Sequence, residues 1–292
     1  RIAMLTGFIG LGNMGRPVAR NLIRLGYTVK LFDLYQPSVD KAMEAGNTGV
    51  PVKDVREMAD CDLVFTCLPM PDDVKNMMMG DGLYGVMKKG AVHIDLSTIG
   101  ASATRELEQD AGRHGLHFIQ CTQGKSPAHA ERAEQTLYVG GEKEVVDRLW
   151  DEIFMRIAQP VRVVSAEAAS AIKLISNMMS GVICLAIAES IRLGEAAGMD
   201  ARDVVELCRS TGCNSFHLET NGPFMAAKDF HTRFAVDLER KDMRLACEMA
   251  RDKGLDLVIS EKVLAIFNLA HEEGIGQEDV TAIYKMVGRD PG

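Results

Sequence analysis

The sequence predicts an α/β fold, in which a doubly wound, mostly parallel sheet fills the first half and a long helix opens an all-helical second half. Short apolar runs alternate with helical segments up to about residue 163, a glycine-rich turn follows the first run, and residues 166–197 form one apolar helical pattern. Alternation of this kind is typical of parallel sheets covered by helices. We therefore predict two domains, 1–164 and 165–292.

The predicted strands are short and apolar on both faces, as in Leu63–Leu68. Such runs are typical of strands covered by helices on each side. After residue 199 helical segments dominate and no convincing strand follows. The predicted strands are Gly7–Gly10, Thr28–Phe32, Leu63–Leu68, Ala91–Leu96, His117–Cys121, Leu137–Gly140 and Val161–Val164.

Composition excludes several classes of protein. Of the 292 residues, 47% are hydrophobic and 25% charged, which are ordinary values for a globular protein. The 41 acidic residues outnumber the 33 basic ones, and the net charge of −8 argues against a nucleic-acid or membrane partner. The most apolar later stretch, Met178–Ala188, is too short to span a bilayer. Seven cysteines without a CxxC pair indicate a cytoplasmic protein, and the scattered histidines predict no metal site.

The strongest local motif is the glycine-rich turn between the first predicted strand and the helix that follows it. Gly10 permits a tight turn, Gly12 lets a pyrophosphate approach the backbone, and Gly15 lets the helix pack on the strand. The helix N-terminus then presents free N–H groups to the phosphates. The strand before and the helix after make this a Rossmann dinucleotide-binding motif. Its predicted cofactor residues are Gly10, Leu11, Gly12, Asn13, Met14 and Gly15.

The second predicted strand leads into Asp33, the expected position of an acid that binds the ribose hydroxyls of the cofactor. A carboxylate there repels a 2′-phosphate, and Leu34, Tyr35 and Gln36 offer no cation to receive one. The sequence therefore predicts NAD rather than NADP. The alternative is a turn aspartate that caps the next helix, a role that Ser38 could fill equally well.

With these motifs in place, the chain resembles the β-hydroxyacid dehydrogenase family over nearly its whole length. That family combines a Rossmann domain, a long interdomain helix and an all-helical domain, in the order that the pattern predicts independently. The similarity is carried by Gly7–Gly15, Leu68-Pro69 with Val74, Asp95-Leu96-Ser97-Thr98, Lys173 with Asn177, and Lys241-Asp242.

The resemblance implies further residues that bind the cofactor and residues that bind the substrate. Leu68, Pro69 and Lys241 match positions that contact the cofactor, and Ser97 with Thr98 matches a substrate segment. For Lys241, a salt bridge to an acid one turn earlier on its helix is the alternative.

The resemblance also implies that Lys173 and Asn177 are the catalytic residues, although Ser176 replaces an asparagine of the family motif. Positions i and i+4 share a helix face, so both side chains can reach one substrate. An ammonium can stabilise the oxygen of a carbonyl under reduction and donate its proton. A lysine on a helix is nearly always a solvated charge, but this helix is otherwise apolar. The apolar helix also predicts a homodimer or homotetramer packed through the helical domains.

The chain departs from the family after its fifth predicted strand. The family's SGG, which holds a substrate carboxylate, is replaced by Gly124, Lys125 and Ser126, followed by a short insertion. This segment resembles the sulfolactaldehyde reductase branch of the family. A lysine, a hydroxyl and loop N–H groups suit a compact tetrahedral anion, so we expect all three residues to bind substrate. The alternative is that Lys125 points to solvent.

Three functions follow from these patterns. The first is an NAD-dependent oxidoreductase that interconverts a small anionic semialdehyde and its primary alcohol, with a substrate like 3-sulfolactaldehyde. The second keeps this chemistry but acts on 3-hydroxyisobutyrate, succinic semialdehyde or tartronate semialdehyde. The third is a dinucleotide-binding protein that has lost catalysis, which the retained Lys173 and Asn177 argue against.

Overall fold

The structure, a computed structural model, describes residues 4–289. It divides into two compact units, of which the first ends at Lys173 and the second begins at Leu174. The predicted boundary at 164/165 comes before the long helix, whereas this division falls inside it.

The first unit is built on an eight-stranded sheet with the order β3-β2-β1-β4-β5-β6-β7-β8. All neighbouring strands are parallel except β6 and β7, which are antiparallel. The predicted doubly wound α/β class is therefore confirmed. The short edge strand β3 was not predicted from the sequence. The strands are β1 (Thr6–Ile9), β2 (Val29–Phe32), β3 (Gly49–Pro51), β4 (Leu63–Thr66), β5 (Val92–Asp95), β6 (His117–Gly124), β7 (Thr136–Gly141) and β8 (Gln159–Arg162).

Helices cover both faces of the sheet. Successive side chains of a strand point to opposite faces, so each strand contributes to two core clusters. In β1, Phe8 packs in one core cluster and Ile9 in another, and in β4 Phe65 and Val64 divide in the same way. The Phe8 and Phe65 rings stack with centroids 5.4 Å apart. The α-helices wholly within this unit are α1 (Gly15–Arg24), α2 (Gln36–Met43), α3 (Pro71–Met78), α4 (Gly100–Arg113), α5 (Pro127–Glu131), α6 (Lys143–Leu149) and α7 (Met155–Ile157).

The helix α8 (Ala166–Ala196) matches the predicted span and leads from the first unit into the second. Within residues 174–289 the regular structure is helical, apart from an isolated bridge between Ala235 and Asp279. These helices enclose a separate core around Met243 and Phe267. They are α9 (Ala201–Arg209), α10 (Phe216–Ala226), α11 (Val236–Asp252) and α12 (Val258–Glu272), followed by a 3₁₀ helix at Val280–Met286.

Helix α8 is less covered than its apolar composition suggests. Its most apolar window has a mean hydropathy of 1.8 and is only 28% buried, and by length and composition the whole helix could cross a membrane. The prediction that Met178–Ala188 is too short to span a bilayer concerned that stretch alone, and α8 as a whole is longer. One such helix is weak evidence of a membrane span, because the core helix of a soluble protein passes the same test.

Candidate active site

The predicted cofactor turn lies where β1, β2 and β4 end, the edge at which doubly wound folds bind their ligands. Gly10 has a φ of 92°, and a Cβ added to it would lie 2.2 Å from the carbonyl oxygen of Cys67. A Cβ on Gly15 would lie 2.2 Å from the carbonyl oxygen of Gly10. A Cβ on Gly12, by contrast, would meet no atom within 4 Å. The outer glycines are therefore needed for packing, and the middle one faces open space.

The first turn of α1 carries no side-chain group that would occupy its N–H groups. Its N-cap residue, Met14, makes no side-chain cap, and the first turn holds no acidic residue. Free N–H groups at a helix N-terminus attract phosphate. Together with the open space at Gly12, this arrangement fits the pyrophosphate of a dinucleotide, which Leu11 and Asn13 would flank.

Asp33 follows β2 and is half-buried. Its Oδ2 accepts a hydrogen bond from the backbone N–H of Leu11 at 2.7 Å, and its Oδ1 accepts one from Tyr35 at 2.8 Å. Helix α2 has Tyr35 as its N-cap residue and no side-chain cap, so neither Asp33 nor Ser38 fills the alternative capping role. Each carboxylate oxygen keeps a lone pair that could accept from a ribose hydroxyl.

The predicted segments Leu68-Pro69 and Ser97-Thr98 follow the neighbouring strands β4 and β5. The backbone N–H of Leu68 donates to Ser97 Oγ at 2.8 Å, so the two segments are joined directly. Ser97 is buried, whereas Thr98 is half-buried and Pro69 is exposed. The structure thus brings a predicted cofactor segment and a predicted substrate segment together, but it places the Ser97 side chain inside the protein.

A row of buried polar residues contacts Ser97, and it was not predicted from the sequence as a unit. Thr66, Asp95 and Gln120 occupy one register row across β4, β5 and β6. Burial raises the pKa of Asp95 to about 6, although hydrogen bonds from its neighbours act to lower it. The available signal was a polar residue at the end of two neighbouring apolar strands, Thr66 in β4 and Asp95 in β5, because parallel strands end at the same edge of a sheet. Gln120 lies inside β6 and carried no such signal.

The segment after β6 contains the predicted anion-binding residues Gly124, Lys125 and Ser126. Lys125 is exposed and has a φ of 67°, a left-handed conformation that is unusual for a residue other than glycine. Its Nζ donates to the carbonyl oxygen of Glu134 at 2.9 Å, at the far end of the same segment. The Ser126 hydroxyl lies 2.7 Å from Nδ1 of His129. An ammonium has three N–H groups, so Lys125 keeps donors beyond the one that Glu134 accepts.

The residues of β6 that come just before this segment have structural roles of their own. Gln120 Nε2 donates to Asp95 Oδ2 at 2.8 Å and to the carbonyl oxygen of Ser97 at 3.0 Å. Thr122 Oγ1 donates to the carbonyl oxygen of Ala169 at 2.6 Å, which fixes the first turns of α8 to β6. Burial raises the pKa of the Cys121 thiol well above its usual range, which disfavours the thiolate that a nucleophile needs.

Lys173 and Asn177 lie one turn apart on α8, as predicted, and both are half-buried. Ser176, which replaces the family's asparagine, is exposed. Asn177 Nδ2 donates to Asp242 Oδ2 at 2.6 Å. Asp242 is 2% exposed, and its Oδ1 lies 3.0 Å from Nζ of Lys241.

The pair Lys241-Asp242 therefore belongs to the surroundings of Asn177. Lys241 was predicted from the sequence to contact the cofactor. Asp242, its neighbour in the same motif, was not predicted to be the partner of Asn177. The alternative for Lys241 was a salt bridge to Asp237, one turn earlier on the same helix. Oδ1 of Asp237 lies 2.7 Å from Nδ1 of His271 and 3.3 Å from Nε of Arg240.

Among residues 4–289 there is no cluster of three or more residues that could hold a metal.

Comparison with known proteins places this geometry in a class and then in a family. The class is that of dinucleotide-binding dehydrogenases: residues 6–168 match the NAD binding domain of 6-phosphogluconate dehydrogenase, and residues 168–287 match the NAD-binding domain of NADP-dependent 3-hydroxyisobutyrate dehydrogenase. The chain belongs to the β-hydroxyacid dehydrogenase family, whose members are NAD(P)-dependent oxidoreductases. Its cofactor is a nicotinamide dinucleotide.

Individual relatives are distant but cover nearly the whole chain. The 2-(hydroxymethyl)glutarate dehydrogenase of Eubacterium barkeri is 28% identical over 96% of this chain and 93% of that protein. The 3-sulfolactaldehyde reductase of Escherichia coli is 28% identical over 96% of this chain and 94% of that protein. The crystal structure of 3-hydroxyisobutyrate dehydrogenase from Salmonella typhimurium has a TM-score of 0.88 and 25% identity, covering 97% of this chain and 99% of that one.

Proposed function

We propose that the protein interconverts a small anionic semialdehyde and its primary alcohol with NAD(H). The observation that carries the proposal is the pair Lys173 and Asn177, one turn apart on α8, in a chain of this family. The bound dinucleotide supplies hydride to the carbonyl carbon or accepts it from the alcohol. A loss of catalysis is disfavoured because both members of the pair are retained.

Lys173 is the proposed acid and base. As an ammonium it stabilises the oxygen that gains charge during reduction and donates a proton to it, and as an amine it takes that proton back in the oxidation. Asn177 is proposed to orient the substrate. Because Asp242 accepts from one N–H of the Asn177 amide, the amide orientation is set, and its Oδ1 and second N–H stay available.

The proposed cofactor preference is NAD over NADP. Asp33 already holds the backbone of Leu11 through one oxygen, which keeps its carboxylate beside the glycine turn. A 2′-phosphate there would meet a negative charge. We expect the kcat/KM for NADH to exceed that for NADPH, and an Asp33→Asn variant to narrow the ratio.

The sharper substrate proposal is a sulfonate such as 3-sulfolactaldehyde. It is supported by Gly124-Lys125-Ser126 and by the relative named 3-sulfolactaldehyde reductase. A bound sulfonate would accept hydrogen bonds from the Lys125 ammonium and from the Ser126 hydroxyl. The bond from Lys125 Nζ to the carbonyl oxygen of Glu134 joins the two ends of this segment. Relatives named for carboxylate substrates support the second candidate, a 3-hydroxyisobutyrate, succinic or tartronate semialdehyde enzyme.

The two substrate classes are separated by turnover of sulfonate and carboxylate semialdehydes in Lys125 variants. Lys125→Ala is expected to lower kcat/KM for the sulfonate by about tenfold or more, the loss that goes with a charged hydrogen bond, and to change carboxylate turnover much less. Lys125→Arg should keep most of the activity, and Lys143→Ala, which removes an exposed lysine elsewhere, should change nothing. Equal losses on both classes would contradict the sulfonate proposal.

We also propose a cytoplasmic homodimer or homotetramer that binds neither nucleic acid nor membrane. The support for the oligomer is that three large apolar side chains of α8 are exposed, Ile175, Met179 and Leu193, at 44%, 56% and 73%. Exposed apolar surface of this kind is typical of protein interfaces. Sedimentation at micromolar concentration should show an oligomer that Met179→Glu weakens. A monomeric wild-type protein would contradict it.

A further inference from the structure

Three side-chain hydrogen-bond donors converge on the buried carboxylate of Asp95. Thr66 Oγ1 and Ser97 Oγ each donate to Oδ1 at 2.7 Å, and Gln120 Nε2 donates to Oδ2 at 2.8 Å. An ionised carboxylate accepts all three, whereas an amide in its place offers a single acceptor oxygen. The chemistry of this position therefore calls for an acid and not merely for a polar side chain.

The network continues away from the cofactor turn through His93. Thr66 has one proton and donates it to Asp95, so it accepts at its 2.7 Å contact with His93 Nε2. Nε2 then carries the imidazole proton, and Nδ1 accepts from the hydroxyl of Tyr84 at 2.6 Å. All these side chains are buried. The hydroxyl protons of Thr66, Ser97 and Tyr84 and the imidazole proton of His93 therefore each have one acceptor, which holds these side chains in one arrangement.

In the other direction the network ends on the backbone of a cofactor segment. Ser97 Oγ gives its only proton to Asp95 and accepts the N–H of Leu68. The Leu68 side chain and the Cys67 carbonyl in turn occupy the space where a Cβ of Gly10 would lie, at 3.0 Å and 2.2 Å. Asp95 is thus connected, through Ser97 and Leu68, to the first glycine of the cofactor turn.

We propose that Asp95 and Ser97 are positioning residues for the cofactor: Asp95 orients the Ser97 hydroxyl, and Ser97 fixes the Leu68-Pro69 backbone against the glycine turn. Ser97 then has no proton to donate to a substrate, which departs from the role predicted for it from the sequence. The proposal rests on dinucleotide binding and not on the identity of the substrate.

Titration of NADH without substrate tests this directly. We expect Ser97→Ala to raise the Kd for NADH by about tenfold, because the Leu68 N–H loses its buried acceptor. Asp95→Asn should raise the Kd in the same direction but by less, because its amide oxygen can still accept from Ser97 while its NH2 group faces the Gln120 donor. The double variant should be no more than about twofold weaker than the worse single variant, since both act through one path. Ser97→Thr, which restores the hydroxyl, should recover most of the affinity.

The control is Ser102→Ala, which removes an exposed serine of α4 and should leave the Kd unchanged. Thermal unfolding shows whether each variant is folded. If Asp95→Asn does not fold, the Kd of Ser97→Ala decides the test alone. A Kd for Ser97→Ala within threefold of the wild type overturns the proposal, and so does a double variant whose losses add. Because no substrate is present, either result leaves the proposed reaction intact.

Discussion

Two regions of the first unit differ sharply in how their polar groups are satisfied. Behind the cofactor turn, Asp95, Gln120 and the residues in contact with them pair donor with acceptor in a buried network. In the segment between β6 and β7, Lys125 and Ala133 both have positive φ, and the buried amide of Gln135 has no hydrogen-bond partner among the described residues. The first region is built for one geometry, and the second carries strain and an unmet polar group.

This difference has a functional meaning. A cofactor common to a whole family imposes the same geometry on the turn that binds it. A substrate segment has to change when the substrate changes, and strained backbone concentrates at such positions. The comparison therefore predicts that substitutions in the two regions have unequal effects.

The largest expected effect is at the glycine turn. Gly10→Ala must place a Cβ against the Cys67 carbonyl and adopt a φ near 92°, so we expect a loss of about 4 kcal/mol in the free energy of unfolding. Gly12→Ala meets no protein atom, so it should keep the wild-type stability and weaken NADH about tenfold. Chemical denaturation and NADH titration of both variants check this. Equal stability losses would show that the turn is not as closely packed as we describe.

The next effect is a pH dependence of stability. The pKa of Asp95 is raised by burial to about 6 from its ordinary 3.8, so the folded state takes up its proton first and gains stability as the pH falls from 6 to 4. Burial lowers the pKa of His93 to about 3, so the unfolded state takes up that proton first and stability is lost over the same range. The two changes oppose each other.

Asp95→Asn removes only the stabilising change. Relative to the wild type, the variant should lose about 3 kcal/mol of unfolding free energy between pH 6 and pH 4. Urea denaturation at several pH values measures the slope for both proteins. Parallel curves would mean that Asp95 does not bind its proton preferentially in the folded state.

A smaller effect is the difference in stability between substitutions of two buried glutamines, Gln120 and Gln135. Gln120→Met removes the amide that donates to Asp95 and to the Ser97 carbonyl, and should cost about 2 kcal/mol of stability. Gln135→Met removes an amide without partners in the described chain, and should be neutral or slightly stabilising. Thermal unfolding of the pair is the measurement. A larger loss at Gln135 would place a structural water or ion on that amide.

The smallest expected effect is at Lys125. Lys125→Gly relieves the left-handed strain but loses the bond to the Glu134 carbonyl and makes the unfolded chain more flexible. We expect these changes to offset each other to within about 1 kcal/mol of unfolding free energy. A loss of several kcal/mol would mean that this segment is as tightly determined as the cofactor turn.

Much of the fold could be predicted from the sequence, because it depends on local signals. The Gly10–Gly15 turn lies between a strand and a helix, and the apolar pattern of 166–197 corresponds to α8. The edge strand β3 was missed because three residues that include a proline carry no strand pattern. The antiparallel direction of β7 was missed as well, since apolar runs do not encode direction.

The site was harder to predict because its contacts join residues far apart in the chain. Ser97 was assigned to the substrate from its motif, but its buried bonds to Asp95 and Leu68 are visible only once β4 and β5 are side by side. Asp242 likewise reaches Asn177 from a different helix. Such partners follow from the fold and not from spacing along the chain.

The most direct test of the proposed function is NADH oxidation with 3-sulfolactaldehyde and with carboxylate semialdehydes, by the wild-type protein and by Lys173→Ala. We predict turnover of at least one of these substrates by the wild type, and a kcat lower by about 10³-fold in the variant, with little change in the Kd for NADH. Equal turnover by Lys173→Ala would remove Lys173 from the reaction. No turnover of any semialdehyde by the wild type would contradict the proposed function itself.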